Sequence, residues 1–211
     1  MSELDRRSRP KRRGRPPGIA KKAILAAAWK LIGDEGVAHL TTKEVARRAG
    51  VSEASIFYHF GDKIGLLGQV MISELEPLRE LDVDLIDRQE HEPVDEMLLD
   101  LARGLEKYLG RVLPVVETVQ AEGALRREFA RRNAKQGLGP HRGVQLVARH
   151  LVAAQHADQA MPGVDAEAVG FLLVGACLLN VWYRRVMGTK YRVHMPELPR
   201  VVETLAQLLT R

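Results

Sequence analysis

The sequence predicts an all-α protein, from its composition and from the spacing of its apolar residues. Aromatic residues make up only 5% of the 211 residues, whereas Ala, Leu, Arg and Glu recur throughout. Apolar residues return at helical spacing in most segments between Pro and Gly. With 45% hydrophobic residues, the chain can bury a core in one or two domains.

Residues 1–18 are too basic and too rich in Pro and Gly to form a core. Seven Lys or Arg lie between Arg6 and Arg15, so we expect a disordered basic arm, with the folded part starting near Ile19. Charge is uneven along the chain: residues 1–63 hold 14 basic and 7 acidic residues, and the remainder holds 18 and 20. This asymmetry predicts that the amino-terminal part contacts a polyanion.

Four helices are expected after the arm, at about 19–33, 42–49, 53–60 and 63–80. The second begins with a Thr41–Glu44 pair at the spacing of a capping box and ends before Gly50. Ser52 can cap the third helix. Gly61 and Asp62 separate it from the fourth.

Six further helices are expected at about 93–110, 113–121, 122–136, 141–156, 165–187 and 198–210. Prolines or glycines divide them, among them Pro114 between the first two. The most apolar stretch, residues 168–183, is shorter than a bilayer span and is interpreted as a buried helix, so no membrane contact is expected.

Residues 42–59 have the internal pattern of a helix-turn-helix. Ala46 is small where two helices would cross closely, and Gly50 lies at the turn. Val45, Val51 and Ile56 would pack between the helices. An ordinary helical hairpin is the alternative that spacing alone leaves open.

Several function classes find no support in the sequence. The single cysteine, Cys177, excludes an internal disulfide and a multi-thiolate metal site, so a reducing cytoplasm is expected. His141, His150 and His156 lack the pairing of a metal site, and no cofactor motif is found. No nucleophile, base and orienting group can be assembled, so no enzymatic activity is expected.

The pattern over residues 19–67 resembles the amino-terminal domain of the TetR family of bacterial transcriptional regulators. The residues that carry the resemblance are Ile24, Ala27, Ala28, Gly36, Thr41, Thr42, Val45, Ala46, Ala49, Gly50, Val51, Ser52, Ile56, Phe57, Tyr58, His59, Phe60, Lys63, Leu66 and Leu67. The resemblance implies a helix-turn-helix DNA-binding domain at 19–67, a connecting helix to about 80, and a ligand-binding and dimerisation domain at 80–211.

The helix from Ser52 to His59 would then enter the major groove of DNA. Its candidate base-facing residues are Glu53, Ala54, Ser55 and Phe57, and Ser52 at its start is a further candidate DNA-binding residue. The resemblance implies phosphate contacts by Thr42, Tyr58, His59 and Lys63, with Lys43 as a further candidate. Phe57 stands where the family often has tyrosine.

The arm contains Arg13-Gly14-Arg15-Pro16, which resembles the core of an AT-hook. Arg13 and Arg15 are therefore candidates for the minor groove of A·T tracts. A basic tail that only adds non-specific affinity is an equal alternative.

The resemblance also implies a homodimer through helices 165–187 and 198–210, and an effector cavity for a mostly apolar small molecule. The candidate ligand-binding residues are Leu101, Leu105, Tyr108, Val112, Val116, Glu117, Gln120, Phe129, Phe171, Gly175, Asn180 and Trp182. Plain core packing is the alternative for each apolar residue of this set.

The resulting hypothesis is a dimeric, ligand-responsive repressor of a palindromic operator. Two alternatives remain open at this point. One is an architectural, A·T-preferring DNA-binding protein without an effector, and the other is an enzyme or small-molecule carrier with an incidental basic tail.

Overall fold

The computed structural model describes residues 17–89, 91–121, 123–188 and 195–210, and these residues form helices with no strand among them. The helices are α1 Pro17–Glu35, α2 Thr42–Ala49, α3 Glu53–Phe60, α4 Lys63–Ser73, α5 Glu76–Arg88, α6 Val94–Ala121, α7 Gly123–Gln136, α8 His141–His156, α9 Ala166–Met187 and α10 Leu198–Leu209, with a 3₁₀ turn at Val37–His39. The all-α prediction is confirmed.

The start and end signals of the second and third helices are confirmed. The Thr41 hydroxyl accepts a hydrogen bond from the backbone N–H of Glu44 at 3.1 Å, and the Ser52 hydroxyl accepts one from Ser55 at 3.3 Å. Gly50 ends α2 in the left-handed conformation at φ 65°, which glycine adopts without steric cost. The capping box is only half formed, because the carboxylate of Glu44 binds Arg47 and Arg48 instead.

Three predicted helix boundaries are wrong. Helix α1 begins at Pro17, two residues early, because proline fits the first turn of a helix. The helix expected at 63–80 ends at Ser73, and α5 starts with Pro77 in its first turn, where the ring would clash with the carbonyl of Ser73 in a continuous helix. Conversely, α6 runs through Pro114 without a break.

Two hydrophobic clusters form the core. The first joins α5, α6, α8, α9 and α10 around Leu98, Leu101, Leu151 and Leu173, each fully buried. The second joins α1 to α4 and also contains Val115, Val119 and Phe129, contributed by α6 and α7. The carboxyl-terminal helices therefore complete the core of the amino-terminal ones.

Helix α9 is long and apolar enough, by length and composition alone, to cross a membrane. One face packs on α6 and α8 through residues such as Leu173 and Cys177, both fully buried. At Gly170 a Cβ would lie 2.6 Å from the carbonyl oxygen of Val144, so glycine permits the close approach of α9 to α8. These contacts are those of a packed helix of a globular domain, as the sequence predicts, and not of a membrane span.

The junction of α3 and α4 predicts a sharp contrast between two glycines of α4. A Cβ on Gly65 would lie 2.0 Å from the backbone oxygen of Phe60, whereas nothing lies within 4 Å of a Cβ on Gly68. Gly65→Ala should lower the free energy of unfolding by about 2–3 kcal/mol, and Gly68→Ala should raise it by about 0.5–1 kcal/mol. Denaturant titration measures both, and equal effects would contradict this account of the junction.

Candidate nucleic-acid interface

The outward face of α3 carries large side chains that are exposed to solvent. Tyr58 is 81% exposed and Phe57 is 49% exposed, whereas Ile56 is fully buried on the opposite face. Ala54 is also exposed, and Glu53 and Ser55 are half-buried. The helix is therefore fixed by one face and presents the other to solvent, as a helix that inserts into a DNA groove requires.

Tyr58 and His59 lie at the carboxyl end of α3 and do not cap a core. Their rings meet edge to face, with centroids 5.0 Å apart, and His59 is half-buried. Phe60 is the residue that enters the core, with 7% exposure. A phenol and an imidazole standing beside the start of α4 are well placed to donate hydrogen bonds to an anion.

The structure brings two predicted contact residues together in a way that the sequence does not reveal. The hydroxyl of Thr42, in the first turn of α2, donates a hydrogen bond to the carboxylate of Glu53 at 2.5 Å. This bond joins the starts of α2 and α3. It also occupies part of the carboxylate that was expected to face bases, so the exposed base-facing surface is chiefly Ala54 and Phe57.

The amino terminus of α4 is a second site of polar groups. Lys63 is its first residue and is half-buried. Asp62 caps the helix by accepting a hydrogen bond from the N–H of Gly65 at 2.8 Å. Asp62 also receives two hydrogen bonds from the guanidinium of Arg132 on α7, at 2.9 and 2.7 Å.

Sequence reasoning missed both partners of this ion pair. An Asp directly before a helix is a capping signal that could have assigned Asp62. Arg132 is 70 residues away, and no local signal identifies it. The bidentate Arg132 side chain holds the pKa of Asp62 below its usual range.

A second ion-pair network fixes α2 against α1. Arg48 binds Glu44 at 2.8 Å and reaches Asp34 and Glu35 at the end of α1. The hydrogen bonds from Arg47 and Arg48 lower the pKa of Glu44 from 4.5 to about 2. The helix-turn-helix is therefore held by charge pairs at its rim as well as by its apolar core.

Arg13 and Arg15 lie outside the described residues, and Lys43 is exposed on α2.

The predicted ligand-binding residues lie in different parts of the described fold. Leu101, Leu105, Tyr108 and Val112 pack on the inner face of α6. Phe171, Gly175 and Trp182 lie on the outward face of α9; Phe171 is 70% exposed and Trp182 is 47% exposed. Phe129 lies in the core of the amino-terminal helices. The ligand-binding role of Phe129, Phe171, Gly175 and Trp182 stays a prediction, because helical spacing alone does not show which face of a helix is covered.

The polar candidates are also dispersed. Glu117 is exposed and binds Arg185 at 2.7 Å. Gln120 is also exposed on α6, and Val116 nearby is half-buried. Asn180 lines a cavity of about 210 Å³ between α6, α9 and the start of α10. The other lining residues are Glu106, Tyr183, Arg184, Met195, Pro196, Glu197, Leu198 and Pro199.

Among the described residues, no group of three or more His, Cys, Asp or Glu could hold a metal ion. Cys177 is buried, and burial raises the pKa of its thiol to about 12. A thiol in this state is protonated and behaves as a small apolar side chain.

Residues 24–70 match the family model of bacterial regulatory proteins, tetR family. The amino-terminal domain belongs to the TetR family. The HTH-type transcriptional regulator BetI of Rhizobium meliloti is 42% identical over 62 residues, which cover 29% of this chain and 30% of BetI. The match thus spans about a third of this relative.

Solved structures extend the similarity to the fold of the whole chain. A TetR-family transcriptional regulator of Mesorhizobium loti superposes with a TM-score of 0.71 over 94% of this chain and 100% of its own, at 20% identity. A complex of SmeT with triclosan gives a TM-score of 0.61 over 91% of this chain and 92% of its own, at 17% identity. The TetR-like fold therefore includes the carboxyl-terminal helices.

The charge pairs of Glu44 predict a contribution to acid sensitivity. Its pKa is lower in the folded protein than the ordinary 4.5, so its pairs stabilise the fold above pH 4.5, and this contribution is lost as the pH falls to about 2. Glu44→Gln should be less stable than wild type at neutral pH and should lose less stability across that window. Urea titrations at several pH values measure this.

Glu203→Gln is the matched control, since Glu203 is exposed on α10 and has no ion pair among the described residues. Parallel stability–pH curves for wild type and Glu44→Gln would contradict the prediction.

Proposed function

We propose that this protein is a ligand-responsive transcriptional repressor, which binds a palindromic operator as a homodimer in the cytoplasm and is released by a mostly apolar small molecule. The observation that carries the proposal is the exposed face of α3, seated on a capped and ion-paired TetR-type domain. Base contacts come chiefly from Ala54 and Phe57, with Glu53 and Ser55 beside them and Ser52 at the helix start, and phosphate contacts come from Lys43, Tyr58, His59 and Lys63. Thr42 joins the phosphate contacts when its hydroxyl exchanges the hydrogen bond to Glu53 for one to the DNA backbone.

A dimer is supported by the outward face of α9 and α10. The exposed large apolar side chains there are Phe171, Leu172, Leu178, Leu179, Trp182, Val186, Met187 and Leu208. Soluble proteins rarely leave such a continuous apolar surface uncovered. A second copy of the chain would cover it and would place two α3 helices for two half-sites.

Release by an effector follows from population shift. A molecule that binds better to a form of the dimer with altered α3 spacing lowers operator affinity by that difference. The similarity to the triclosan complex of SmeT supports an apolar effector. Because the predicted lining residues are dispersed, we place its entry near the cavity of about 210 Å³ that Asn180 lines.

Footprinting on duplexes enriched from a random-sequence library tests the function. The repressor proposal expects a protected palindrome, whose protection is lost on addition of an apolar compound such as triclosan. Broad protection of any A·T-rich duplex, insensitive to every apolar compound, would favour the architectural alternative instead.

Substitution of the phosphate contacts should weaken DNA binding without unfolding the protein. Tyr58 is 81% exposed, so Tyr58→Ala should change stability by no more than about 0.5 kcal/mol. Lys63→Ala should weaken binding and reduce the slope of log affinity against log salt by about 1. Fluorescence anisotropy measures both, with Lys107→Ala on α6 as the control; wild-type affinity in Tyr58→Ala and Lys63→Ala would refute the interface.

The apolar face predicts the oligomeric state. Phe171→Asp should convert a dimer to a monomer, because a charge on a side chain that is 70% exposed in the single chain is costly only when the face is covered. Val83→Asp on α5, at a position 60% exposed, should remain dimeric. Sedimentation velocity distinguishes the two, and a monomeric wild type would contradict the dimer.

The arm, with Arg13 and Arg15, is proposed to enter the minor groove beside the operator. Removal of residues 1–16, which leaves α1 intact, should flatten the salt dependence of binding. It should also abolish preference for flanking A·T pairs. If the salt slope falls but the preference persists in the binding assay, the arm is only a non-specific basic tail.

A further inference from the structure

The ion pair between Asp62 and Arg132 joins the start of α4 to a carboxyl-terminal helix. Asp62 caps α4, and its two carboxylate oxygens accept hydrogen bonds from the two terminal nitrogens of Arg132 at 2.9 and 2.7 Å. The side chain of Arg132 is 32% exposed and that of Asp62 is 44% exposed. The pair therefore lies at the rim of the amino-terminal domain, where it is partly open to solvent.

Helix α7 holds Arg132 firmly in this position. The Nε of Arg132 donates a hydrogen bond to Glu128 at 2.6 Å. Phe129, one turn earlier on α7, is 5% exposed in the core of α1 to α4. Arg131 also binds Glu128, at 2.7 and 2.9 Å. Because Arg131 neutralises Glu128, the charge of Arg132 remains available to neutralise Asp62.

The position of Asp62 is electrostatically unfavourable for a DNA-binding surface. Helix starts attract phosphate through their free N–H groups and dipole, but a carboxylate at the same place repels it. Asp62 directly precedes Lys63 and follows the exposed Tyr58 and the half-buried His59 by a few residues. An unpaired Asp62 would lie among the groups expected to bind the DNA backbone.

We propose that Arg132 is a positioning residue for DNA binding, contributed by the carboxyl-terminal half, which holds Asp62 as the cap of α4 and cancels its charge beside the DNA backbone. This inference rests on the proposed DNA-binding function. A movement of α7 that separates Arg132 from Asp62 lowers DNA affinity without changing any residue that touches DNA.

A rescue experiment tests the role of charge. Arg132→Gln should weaken binding about tenfold at low salt, the size expected for one uncompensated charge near a phosphate. Asp62→Asn keeps a capping side chain and removes the charge, so it should bind at least as tightly as wild type. The double variant Arg132→Gln/Asp62→Asn should regain most of the lost affinity.

Arg126→Gln is the matched control, since it removes the same charge from the same helix, and Arg126 is exposed and has no ion pair with Asp62 or Glu128 among the described residues. It should weaken binding less than Arg132→Gln. Affinities are measured with a mixed-sequence duplex and with a duplex enriched by the wild-type protein, over a range of salt concentrations. Thermal unfolding checks that each variant is folded.

Two results would overturn the inference. If Asp62→Asn weakens binding as much as Arg132→Gln and the double variant is not rescued, the pair is only a structural tether. If Arg126→Gln matches Arg132→Gln, the effect is the general field of α7. Failure of the wild type to enrich any duplex would count against the proposed function, while the mixed-sequence duplex would still decide the role of Arg132.

Discussion

The interaction on which the rest of the structure depends is the packing of α6 and α7 into the core of the DNA-binding domain. Val115 is fully buried, and Val119 and Phe129 are 1% and 5% exposed, among residues of α1 to α4. The same helix α6 buries Leu98 and Leu101 in the other core. Helix α6 therefore contributes to both hydrophobic clusters. Neither half of the chain can reorient relative to the other without disturbing a packed core.

Pro114 shows why this continuity matters. Proline removes one backbone hydrogen bond and crowds the carbonyl four residues earlier, so an isolated helix would kink there. That earlier residue is Gly110. Burial of Val112 and Val115 on either side of Pro114 favours a continuous helix, and tertiary packing overrides the local signal. A break at this point would have separated the two halves.

Local sequence signals were enough to predict the helix-turn-helix. They failed for residues whose surroundings are set by contacts with distant parts of the chain. Thr41, Gly50 and Ser52 act through bonds to residues within a few positions, and their roles could be predicted from sequence. Phe129 and Phe171 both lie on apolar stripes, yet one completes the DNA-binding core and the other points outward. Periodicity gives the face of a helix but does not identify what covers it, so the candidate effector site could not be assigned.

The geometry of α3 limits how this protein can discriminate between DNA sequences. Its exposed surface is chiefly Ala54, Phe57 and Tyr58, while the carboxylate of Glu53 accepts the hydroxyl of Thr42. No Arg, Asn or Gln on this helix can form a bidentate contact with a purine. Apolar contact with thymine methyl groups and the shape of the DNA backbone remain as sources of selectivity.

A protein that recognises DNA mainly by the shape of its backbone requires accurately placed phosphate contacts, because it has few base contacts to fix its position along the duplex. The rim ion pairs meet that requirement: Arg48 fixes α2 against α1, and Arg132 fixes the start of α4. The second fixing group comes from the half of the chain in which an effector would bind. DNA affinity is thereby coupled to the conformation of the carboxyl-terminal half through the guanidinium of Arg132, in addition to the shared core.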